Sequence, residues 1–402
     1  MKKLMLLGGS RYALPVIETA HKLGVYVITC DYLPENIAHR YSDQYCNVSI
    51  IDKEAVLKVA KEFQIDGIIS FACDPGVVTA AYVAEKLGLP SCGTYESVSI
   101  LQNKAKFRNF LRDNGFNVPR TYSYSTVEDA VRDSEIIEYP VIVKPVDSAG
   151  SKGVTRVDVA DRLEAAVEHA FEYSFKKEII IEDFLEKDGF SSDTDCFSID
   201  GKLVFASFNS QRFDESSENP FAPAAYSWPS SIPQNVENVL MHEIQRVIEL
   251  LNLKSSIYNV ETRLATNGKP YIMEISPRGG GNRLAECLRY ATGVDLIEGA
   301  VRAAMGMPIE CISQKPYIGH WAEIVLHGET VGRYDGLWIS DEIIDNVVEE
   351  DIWVSKGDII YGFDSANKAI GTLVLNFEDD NSLEIVMNNI SKYIKVLTEE
   401  SK

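Results

Sequence analysis

Short apolar runs and amphipathic segments alternate along the first 90 residues or so of the chain. The apolar runs LMLL, VYVITC and DGIISFA are separated by VIETAHKLG and DKEAVLKVAKEFQ, and GVVTAAYVAEKLG follows the last run. In the second of these segments Val56, Val59, Ala60 and Phe63 recur at helical spacing, so one face of the helix is apolar. Strands that alternate with helices predict a parallel, doubly wound α/β sheet, here over residues 1–98.

The next part of the chain mixes helices with strands that lie farther apart. Asn103 and Gly115 mark the ends of the helix NKAKFRNFLRDNG, and Ser125 with Glu128 predicts a capping box at the next helix. Strand patterns occur at YPVIVKP, EIIIEDFLE and CFSIDGKLVFASF. In YNVETRLATNGKPYIMEISPR the NGK triplet predicts a hairpin turn between two strands.

Two segments further along the chain complete the predicted organisation. Residues 209–235 are rich in Asn, Ser, Pro and Phe, which is typical of a long loop with a functional role. The last 90 or so residues alternate again and are predicted to finish on a helix through Lys395. This pattern predicts a small α+β domain at the C-terminal end.

The charge balance restricts the classes of partner. Sixty acidic and 39 basic residues give a net charge of −21, which repels phosphate backbones and anionic lipid surfaces. We therefore expect no nucleic acid and no membrane as partner. No stretch approaches the roughly 20 apolar residues of a membrane span, and the N-terminal apolar run is too short for a signal peptide. The protein is expected to be soluble and cytoplasmic.

The seven cysteines are odd in number and irregularly spaced. This pattern favours reduced structural thiols over a disulfide framework or a zinc site. The cysteines are Cys30, Cys46, Cys73, Cys92, Cys196, Cys287 and Cys311.

A strand-borne lysine beside a glycine loop is the first candidate for chemistry. Lys144 lies near the end of an apolar strand and is followed by DSAGSKGV, where Gly150 and Gly153 flank Ser151 and Lys152. Bare amides and hydroxyls in such a loop approach phosphate oxygens closely, which suits a triphosphate; a solvated lysine beside an ordinary turn is the alternative. The chain has no P-loop sequence.

Two glutamates on the arms of the predicted hairpin are the second candidate. Glu274 has apolar neighbours, where an unpaired charge is costly, so it and Glu261 are interpreted as ligands of a hard cation such as Mg²⁺. Arg278 follows with a planar guanidinium suited to a phosphoryl or carboxylate oxygen. The triple glycine after it gives a substrate room to approach the backbone.

Six segments in this order resemble the motifs of the ATP-grasp superfamily. They are NK at Asn103, YPVIVKP, DSAGSKGV, IEDFLE, NVETR and MEISPRGGG. The flanking domains look like those of its carboxylate-amine ligase branch, which includes carbamoyl-phosphate synthetase, biotin carboxylase, purine-pathway and L-amino-acid ligase enzymes. The resemblance implies an ATP-grasp domain over 99–308 between the doubly wound domain and a small α+β domain over 309–402.

The resemblance also implies a role for each matching residue. Arg278 would neutralise the transferred phosphoryl group, and Gly279, Gly280, Gly281 and Asn282 would face the substrates. The metal would be held by Glu261, Glu274 and Ser276. ATP would be contacted by Lys104, Lys144, Ser151, Lys152, Gly153, Glu182, Asp183, Phe184 and Leu185.

Two positions depart from the family pattern. Ser276 stands where the family commonly has an asparagine metal ligand, so it is expected to act weakly or through water. Ser191 stands where the family has a ribose-binding acid, and Asp188 or Asp193 is expected to substitute.

The activity implied is an ATP-dependent ligation of a small-molecule carboxylate to an amine. The carboxylate would attack the γ-phosphate to give an acyl phosphate and ADP, and the amine would then displace phosphate. The implied cofactors are ATP and Mg²⁺, with Mn²⁺ as an alternative metal, and a homodimer is left open as the assembly. The substrate pocket is expected between the GGSRYA turn, the 209–235 segment and the triple glycine.

Two other functions stay open from the sequence. An ATP-binding protein that no longer catalyses is favoured only by Ser276. A nicotinamide-dependent oxidoreductase is favoured by GGSRYA after the first strand and by Asp31 at the end of the second. His320 and His327 lie seven apart on a predicted strand and so face opposite sides, and we expect no catalytic role for them.

Overall fold

The structure is a computed structural model that describes residues 1–148, 150–310 and 312–399. Ala149 of the glycine loop, Cys311 and the last three residues lie outside this description. The six cysteines within it are unpaired thiols.

A four-stranded parallel sheet, in the order β3-β2-β1-β4, organises the N-terminal region. Leu4 and Leu6 of its central strand pack on the side of the first helix, whereas Met5 and Leu7 pack with the next two helices on the other side. This confirms the predicted doubly wound sheet. The elements are β1 (Lys3–Leu7), α1 (Leu14–Lys22), β2 (Tyr26–Asp31), β3 (Gln44–Asn47), α2 (Lys53–Phe63), β4 (Gly67–Ser70) and α3 (Asp74–Leu87).

Two antiparallel four-stranded sheets organise the central region, in the orders β5-β8-β6-β7 and β10-β9-β13-β14. The predicted hairpin is present, with Asn267 and Gly268 between β13 and β14. The elements up to β8 are α4 (Tyr95–Leu101), α5 (Lys104–Asp113), β5 (Thr121–Tyr124), α6 (Val127–Arg132), β6 (Val141–Pro145), β7 (Thr155–Val157), α7 (Leu163–Tyr173) and β8 (Ile179–Asp183). The later elements are β9 (Ser192–Ile199), β10 (Lys202–Phe205), β11 (Ser210–Phe213), β12 (Pro223–Trp228), α8 (Gln234–Leu250), β13 (Ser256–Leu264), β14 (Pro270–Ser276), α9 (Leu284–Thr292) and α10 (Leu296–Ala304).

The C-terminal region contains a five-stranded sheet, β11-β12-β15-β19-β17, and a three-stranded sheet, β18-β16-β20. Its elements are β15 (His320–Leu326), β16 (Gly332–Ile339), β17 (Val347–Ile352), β18 (Ile359–Ile360), β19 (Gly371–Phe377), α11 (Asp380–Met387), α12 (Ile390–Tyr393) and β20 (Ile394–Glu399). Short 3-10 turns lie at Arg11–Ala13, Ile37–Arg40, Ala160–Arg162, Ile344–Asn346 and Ala366–Lys368.

The prediction of a long loop over 209–235 is wrong. This segment contains β11 and β12, and β12 pairs with β15 in the C-terminal sheet. Five consecutive residues of β12, from Ala224 to Trp228, are buried, so the strand lacks the alternation that marks a half-exposed strand. Because two strands of the central segment complete the C-terminal sheet, that sheet crosses the boundary predicted at residue 308, and the domain limits remain sequence predictions.

Two element ends also differ from the sequence prediction. The cap of α6 is Thr126, whose hydroxyl accepts from the Asp129 amide, rather than Ser125 with Glu128. Both pairs satisfy the capping spacing, so the sequence alone does not distinguish them, and in the observed helix Ala130 is buried. The predicted terminal helix gives way at Ile394 to β20, which pairs with β16 and buries Ile394.

None of the described helices combines the length and the apolar character that crossing a lipid bilayer requires.

Candidate active site

Three acidic side chains form a row across β9, β13 and β14. Glu261 pairs directly with Glu274 on one side and with Asp193 on the other. Residues paired across antiparallel strands project to the same face of the sheet, so the three carboxyl groups share one face. Burial and the neighbouring Glu261 raise the pKa of Asp193 to about 8. This face therefore concentrates negative charge that a cation would stabilise.

Lys104 is the cation nearest to this row. It begins α5, where Asn103 caps the helix by accepting from the Lys106 amide at 2.9 Å. Its Nζ lies 3.1 Å from Glu274 Oε2 and donates to the Ser148 carbonyl at 3.0 Å. Burial alone would lower the pKa of Lys104, but Glu274 outweighs it and the pKa is raised. Lys104 is therefore a charged side chain held over the acidic row.

A buried ion-pair cluster lies beside it. Lys144 of β6 is ion-paired with Glu182 of β8. Arg108, one helical turn after Lys104, donates from Nε to Glu182 at 2.8 Å. Burial alone would raise the pKa of Glu182, but Arg108 and Lys144 lower it to about 2. The Glu182 side chain therefore holds Arg108 and Lys144 in place by ion pairs.

The segment predicted to meet adenine follows Glu182. The Asp183 amide donates to the Arg120 carbonyl at 3.0 Å and the Phe184 amide donates to the Pro140 carbonyl at 3.1 Å. The Leu185 carbonyl accepts from Arg263 at 3.1 Å. These contacts fix the backbone of the segment at the end of β8.

The glycine loop is anchored on the turn between β11 and β12. Ser151 Oγ donates to the Phe221 carbonyl at 2.8 Å, and Asn219 Nδ2 donates to the Ser151 carbonyl at 3.1 Å. Gly150, Ser151 and Gly153 all have positive φ. The loop that carries Lys152 therefore rests on the 209–235 segment, a contact that the sequence did not indicate.

Arg278 and Ser276 both bind Asp74, the first residue of α3. Arg278 donates from Nε to Asp74 Oδ1 at 2.9 Å and from Nη2 to Oδ2 at 2.7 Å. The Ser276 hydroxyl donates to Asp74 at 2.8 Å and accepts from Gln102 at 2.7 Å. Burial alone would raise the pKa of Asp74, but Arg278 lowers it. Ser276 thus has two side-chain partners, and its role as a metal ligand stays a prediction.

The triple glycine meets the segments predicted to form the substrate pocket. Tyr12, in the GGSRYA turn, donates to Asn282 Oδ1 at 3.0 Å. Asn282 Nδ2 donates at 3.1 Å to the hydroxyl of Tyr226 on β12. The Gly280 amide donates to Asp195 at 2.8 Å. The structure therefore brings together the GGSRYA turn, the 209–235 segment and Gly279–Asn282.

Four contributing residues were not named in the sequence analysis, although two of them, Tyr12 and Tyr226, lie in segments that it placed at the substrate pocket. Arg108 had a signal, because it follows Lys104 at the i,i+4 spacing that places two side chains on one helix face. Asp74, Tyr12 and Tyr226 come from other parts of the fold, and their approach to the site depends on tertiary structure.

The two glutamates suit a magnesium ion bound together with a nucleotide. Among the described residues, no group of three or more His, Cys, Asp or Glu is placed to hold a metal by itself. Mg²⁺ in nucleotide sites is commonly held by one or two carboxylates, with phosphate oxygens and waters completing its shell. Glu261 and Glu274 on one face fit that requirement.

Comparison with known proteins identifies a domain within the chain. A family model described as an ATP-grasp domain matches residues 137–286. The chain contains an ATP-grasp domain. This confirms the resemblance inferred from the six motifs.

Similarity to known proteins extends beyond the matched domain. The chain is 26% identical over 239 residues to the carbamoyl phosphate synthase large chain of Thermoanaerobacter sp. (strain X514), covering 59% of this chain and 22% of the relative. The chain thus spans about a quarter of the length of such relatives. It is 24% identical to a formate-dependent phosphoribosylglycinamide formyltransferase of Bacteroides thetaiotaomicron, covering 78% of this chain and 80% of the relative.

Solved structures match the chain from end to end. The L-amino acid ligase from Bacillus licheniformis superposes with a TM-score of 0.82 at 21% identity, covering 100% of this chain and 99% of that one. Phosphoribosylglycinamide synthetase from Anaerococcus prevotii gives 0.76 at 19% identity, covering 99% and 100%. The predicted fold class is confirmed by these matches.

Proposed function

We propose that the protein is an ADP-forming ligase that joins a small-molecule carboxylate to an amine through an acyl phosphate. The observation that carries the proposal is the placement of Glu261 and Glu274 opposite each other, with Lys104 on Glu274 and Arg278 just beyond the end of β14. Two carboxylates for a metal and two cations for phosphoryl oxygens are what transfer of a γ-phosphoryl group requires.

Lys104 and Lys144 would bind phosphate oxygens of ATP. The pair Arg108 and Lys144 shares the single carboxylate of Glu182, so this cluster retains one net positive charge for the nucleotide. The segment around Ser151, Lys152 and Gly153 would cover the phosphates. The backbone of Asp183 and Leu185, with Phe184 between them, would meet the adenine edge.

Glu261 and Glu274 would hold Mg²⁺, with Mn²⁺ as the alternative metal. When bound, the ion supplies charge neutralisation between the phosphates. Glu274 is ion-paired with Lys104, so binding of metal and nucleotide would free this lysine for a phosphate oxygen.

The first chemical step forms an acyl phosphate. A carboxylate oxygen attacks the γ-phosphorus, the new O–P bond replaces the bond to the β-phosphate oxygen, and ADP leaves. Arg278 would neutralise the charge on the transferred group, because this charge is greatest in the transition state.

The second step forms the C–N bond. The amine lone pair attacks the acyl carbon, the C–O bond to phosphate breaks, and the nitrogen loses a proton to water. Phosphate is a far better leaving group than hydroxide, so the protein needs mainly to position the reactants and exclude water. We place both reactants against Gly279, Gly280, Gly281 and Asn282, near Tyr12 and Tyr226.

A nicotinamide-dependent function finds no support at the second strand. The Asp31 carboxylate is almost fully buried, and it accepts from the Leu33 amide at 3.1 Å and from Asn36 Nδ2 at 2.8 Å. It is therefore engaged in its own turn rather than open to a ribose hydroxyl.

The proposal is tested by a matrix of carboxylates and amines with Mg²⁺ and ATP. Amino acids, hydroxy acids and sugar acids are combined pairwise with amines, and nucleotide products are separated by chromatography. At least one pair is expected to give equal amounts of ADP, phosphate and amide. Formation of AMP and pyrophosphate would contradict the proposal, because it means attack on the α-phosphate.

A further inference from the structure

The turn between β4 and α3 holds the segment that follows β14. The Ala72 amide, in a residue with a φ of +49°, donates to the Gly279 carbonyl at 3.2 Å. The ring of Phe71 packs against Gly279 so closely that an added Cβ would lie 2.3 Å from Cζ. The N-terminal domain therefore contacts the ATP-grasp domain directly beside Arg278.

Asp74 adds a further contact between the two domains by binding the side chain of Arg278. A guanidinium has five N–H donors. In Arg278 two of them bind Asp74 and a third, from Nη1, binds the Gly279 carbonyl at 2.9 Å. The other two donors have no acceptor among the described residues and can bind a ligand. Two fixed bonds to one carboxylate hold the guanidinium plane in a single orientation.

A chain of hydrogen bonds fixes Asp74 in turn. Gln102 donates to Ser276, and Ser276 donates to the same Asp74 oxygen that Arg278 Nε binds. The position of Asp74 in the first turn of α3 adds the favourable interaction of an anion with a helix N-terminus. A small cleft lies here, lined by Asp74, Gln102, Lys104, Ser148 and Glu274 among others.

We propose that Asp74 is a positioning residue, supplied by the N-terminal domain, which holds Arg278 in the orientation that receives the transferred phosphoryl group. The role of Ser276 is then to hold Asp74 by a hydrogen bond rather than to bind the metal. The inference rests on the proposed function for its chemistry, but the geometry that carries it comes from Asp74, Ser276 and Arg278 alone.

Kinetics of Asp74→Asn test the inference first. The substitution removes one of the two carboxylate oxygens from Arg278, and a loosened catalytic cation is expected to lower kcat roughly 10- to 100-fold. The KM for ATP is expected to stay within about threefold, because the ion pair of Asp74 is with Arg278, whereas Lys104 and Lys144 are paired with Glu274 and Glu182. Glu62→Gln, which removes an exposed carboxylate of the same domain, is the control and should match the wild type. An unchanged kcat in Asp74→Asn would overturn the inference.

A double-mutant cycle separates positioning from a general structural effect. If Asp74 acts through Arg278, Asp74→Asn combined with Arg278→Lys should be about as slow as Arg278→Lys alone. If kcat of the double variant instead falls by the product of the two single fold-losses, the inference is overturned. Ser276→Ala, which removes one hydrogen bond, should lower kcat a few-fold while the Mg²⁺ concentration for half-maximal rate stays unchanged. A raised Mg²⁺ requirement would make Ser276 a metal ligand instead.

A binding measurement distinguishes failure of this inference from failure of the proposed function. Aluminium fluoride with ADP and Mg²⁺ mimics a phosphoryl group in transfer. Aluminium fluoride should lower the Kd of the wild type for ADP. In Asp74→Asn this decrease in Kd should be at least about tenfold smaller, while the Kd for ADP without aluminium fluoride should match that of the wild type. Equal decreases in both proteins would overturn the role of Asp74. A wild type that shows the decrease but makes no amide in the matrix would overturn only the ligase proposal, and a wild type that binds no nucleotide would overturn both.

Discussion

Lys144 and Glu182 form an ion pair between the adjacent strands β6 and β8, inside the ATP-grasp domain. Glu182 is almost fully buried and is shared with Arg108. Arg108 and Lys144 are mostly shielded from water. The cluster is therefore sensitive to any change that removes the anion, because the two cations would then repel each other with little screening.

Replacement of this anion should destabilise the fold. In Glu182→Gln, Arg108 and Lys144 lose their common carboxylate while they remain buried, and the free energy of unfolding should fall by about 3–5 kcal/mol. Denaturant titration measures the change. Glu172→Gln, at an exposed position on α7, should change it by less than about 0.5 kcal/mol. Equal stability of the two variants would mean that the cluster contributes nothing to the fold.

The same carboxyl group predicts a pH dependence of stability. Its pKa in the folded protein, about 2, lies below the ordinary value of 4.5, so its contribution is fully present above pH 4.5 and is lost as pH falls from 4.5 towards 2. The difference in unfolding free energy between wild type and Glu182→Gln should therefore be constant near neutral pH and shrink below about pH 4.5. A difference that widens on acidification would have the wrong sign for a lowered pKa.

The triple glycine offers a matched pair of substitutions. A Cβ at Gly279 would lie 2.3 Å from the Phe71 ring, whereas a Cβ at Gly281 would meet only Tyr12 Cε2, at 4.0 Å. Gly279→Ala should lower stability by about 1–3 kcal/mol. Gly281→Ala should keep the stability to within about 0.5 kcal/mol but lower kcat/KM for the accepted carboxylate, since its methyl group projects towards the proposed substrate pocket. Unchanged kcat/KM in Gly281→Ala would place the substrate elsewhere.

Glu274 and Arg278 should separate binding from chemistry. Glu274→Ala is expected to weaken Mg²⁺–ATP binding and abolish turnover together, because the triphosphate loses a metal ligand. Arg278→Ala should leave ATP affinity nearly unchanged while kcat falls by roughly 100-fold, about the loss of one oxyanion donor. Calorimetric titration and phosphate release measure both. If Arg278→Ala loses ATP affinity and keeps its kcat, Arg278 binds phosphate in the ground state, and Lys152 becomes the next candidate for the catalytic cation.

Local signals in the sequence were sufficient for much of this architecture. The cap at Asn103, the turn at Asn267 and Gly268 and the alternating N-terminal pattern all depend on residues close together in the chain, and each is confirmed by the structure. The pairing of Glu261 with Glu274 needs more than the turn, because the register shifts by one residue between Thr262 and Glu261. The register set at the turn would place Glu261 opposite Met273, so the sequence predicts the hairpin but not this pairing.

Contacts between distant segments were beyond the reach of the sequence. Asp74 lies 204 residues from Arg278, and nothing in its local pattern marks it as a partner. The strand β12 was hidden because Pro229 and several small residues suggest a loop, while its burial depends on pairing with β15. At the C-terminal end Ile394 and Val396 suit either a strand or the last turn of a helix, and pairing with β16 decides for the strand.

Transfer of oxygen-18 from the carboxylate substrate to phosphate tests the central claim most directly. Once the matrix has identified an accepted acid, that acid is labelled in both carboxyl oxygens and incubated with Mg²⁺, ATP and the amine, and the released phosphate is analysed by mass spectrometry. An acyl-phosphate route breaks the bond between the acyl carbon and the bridging oxygen, so each phosphate should carry one labelled oxygen and the nucleotide product should be unlabelled ADP. Label found in AMP, or phosphate released without label while amide is formed, would contradict the account.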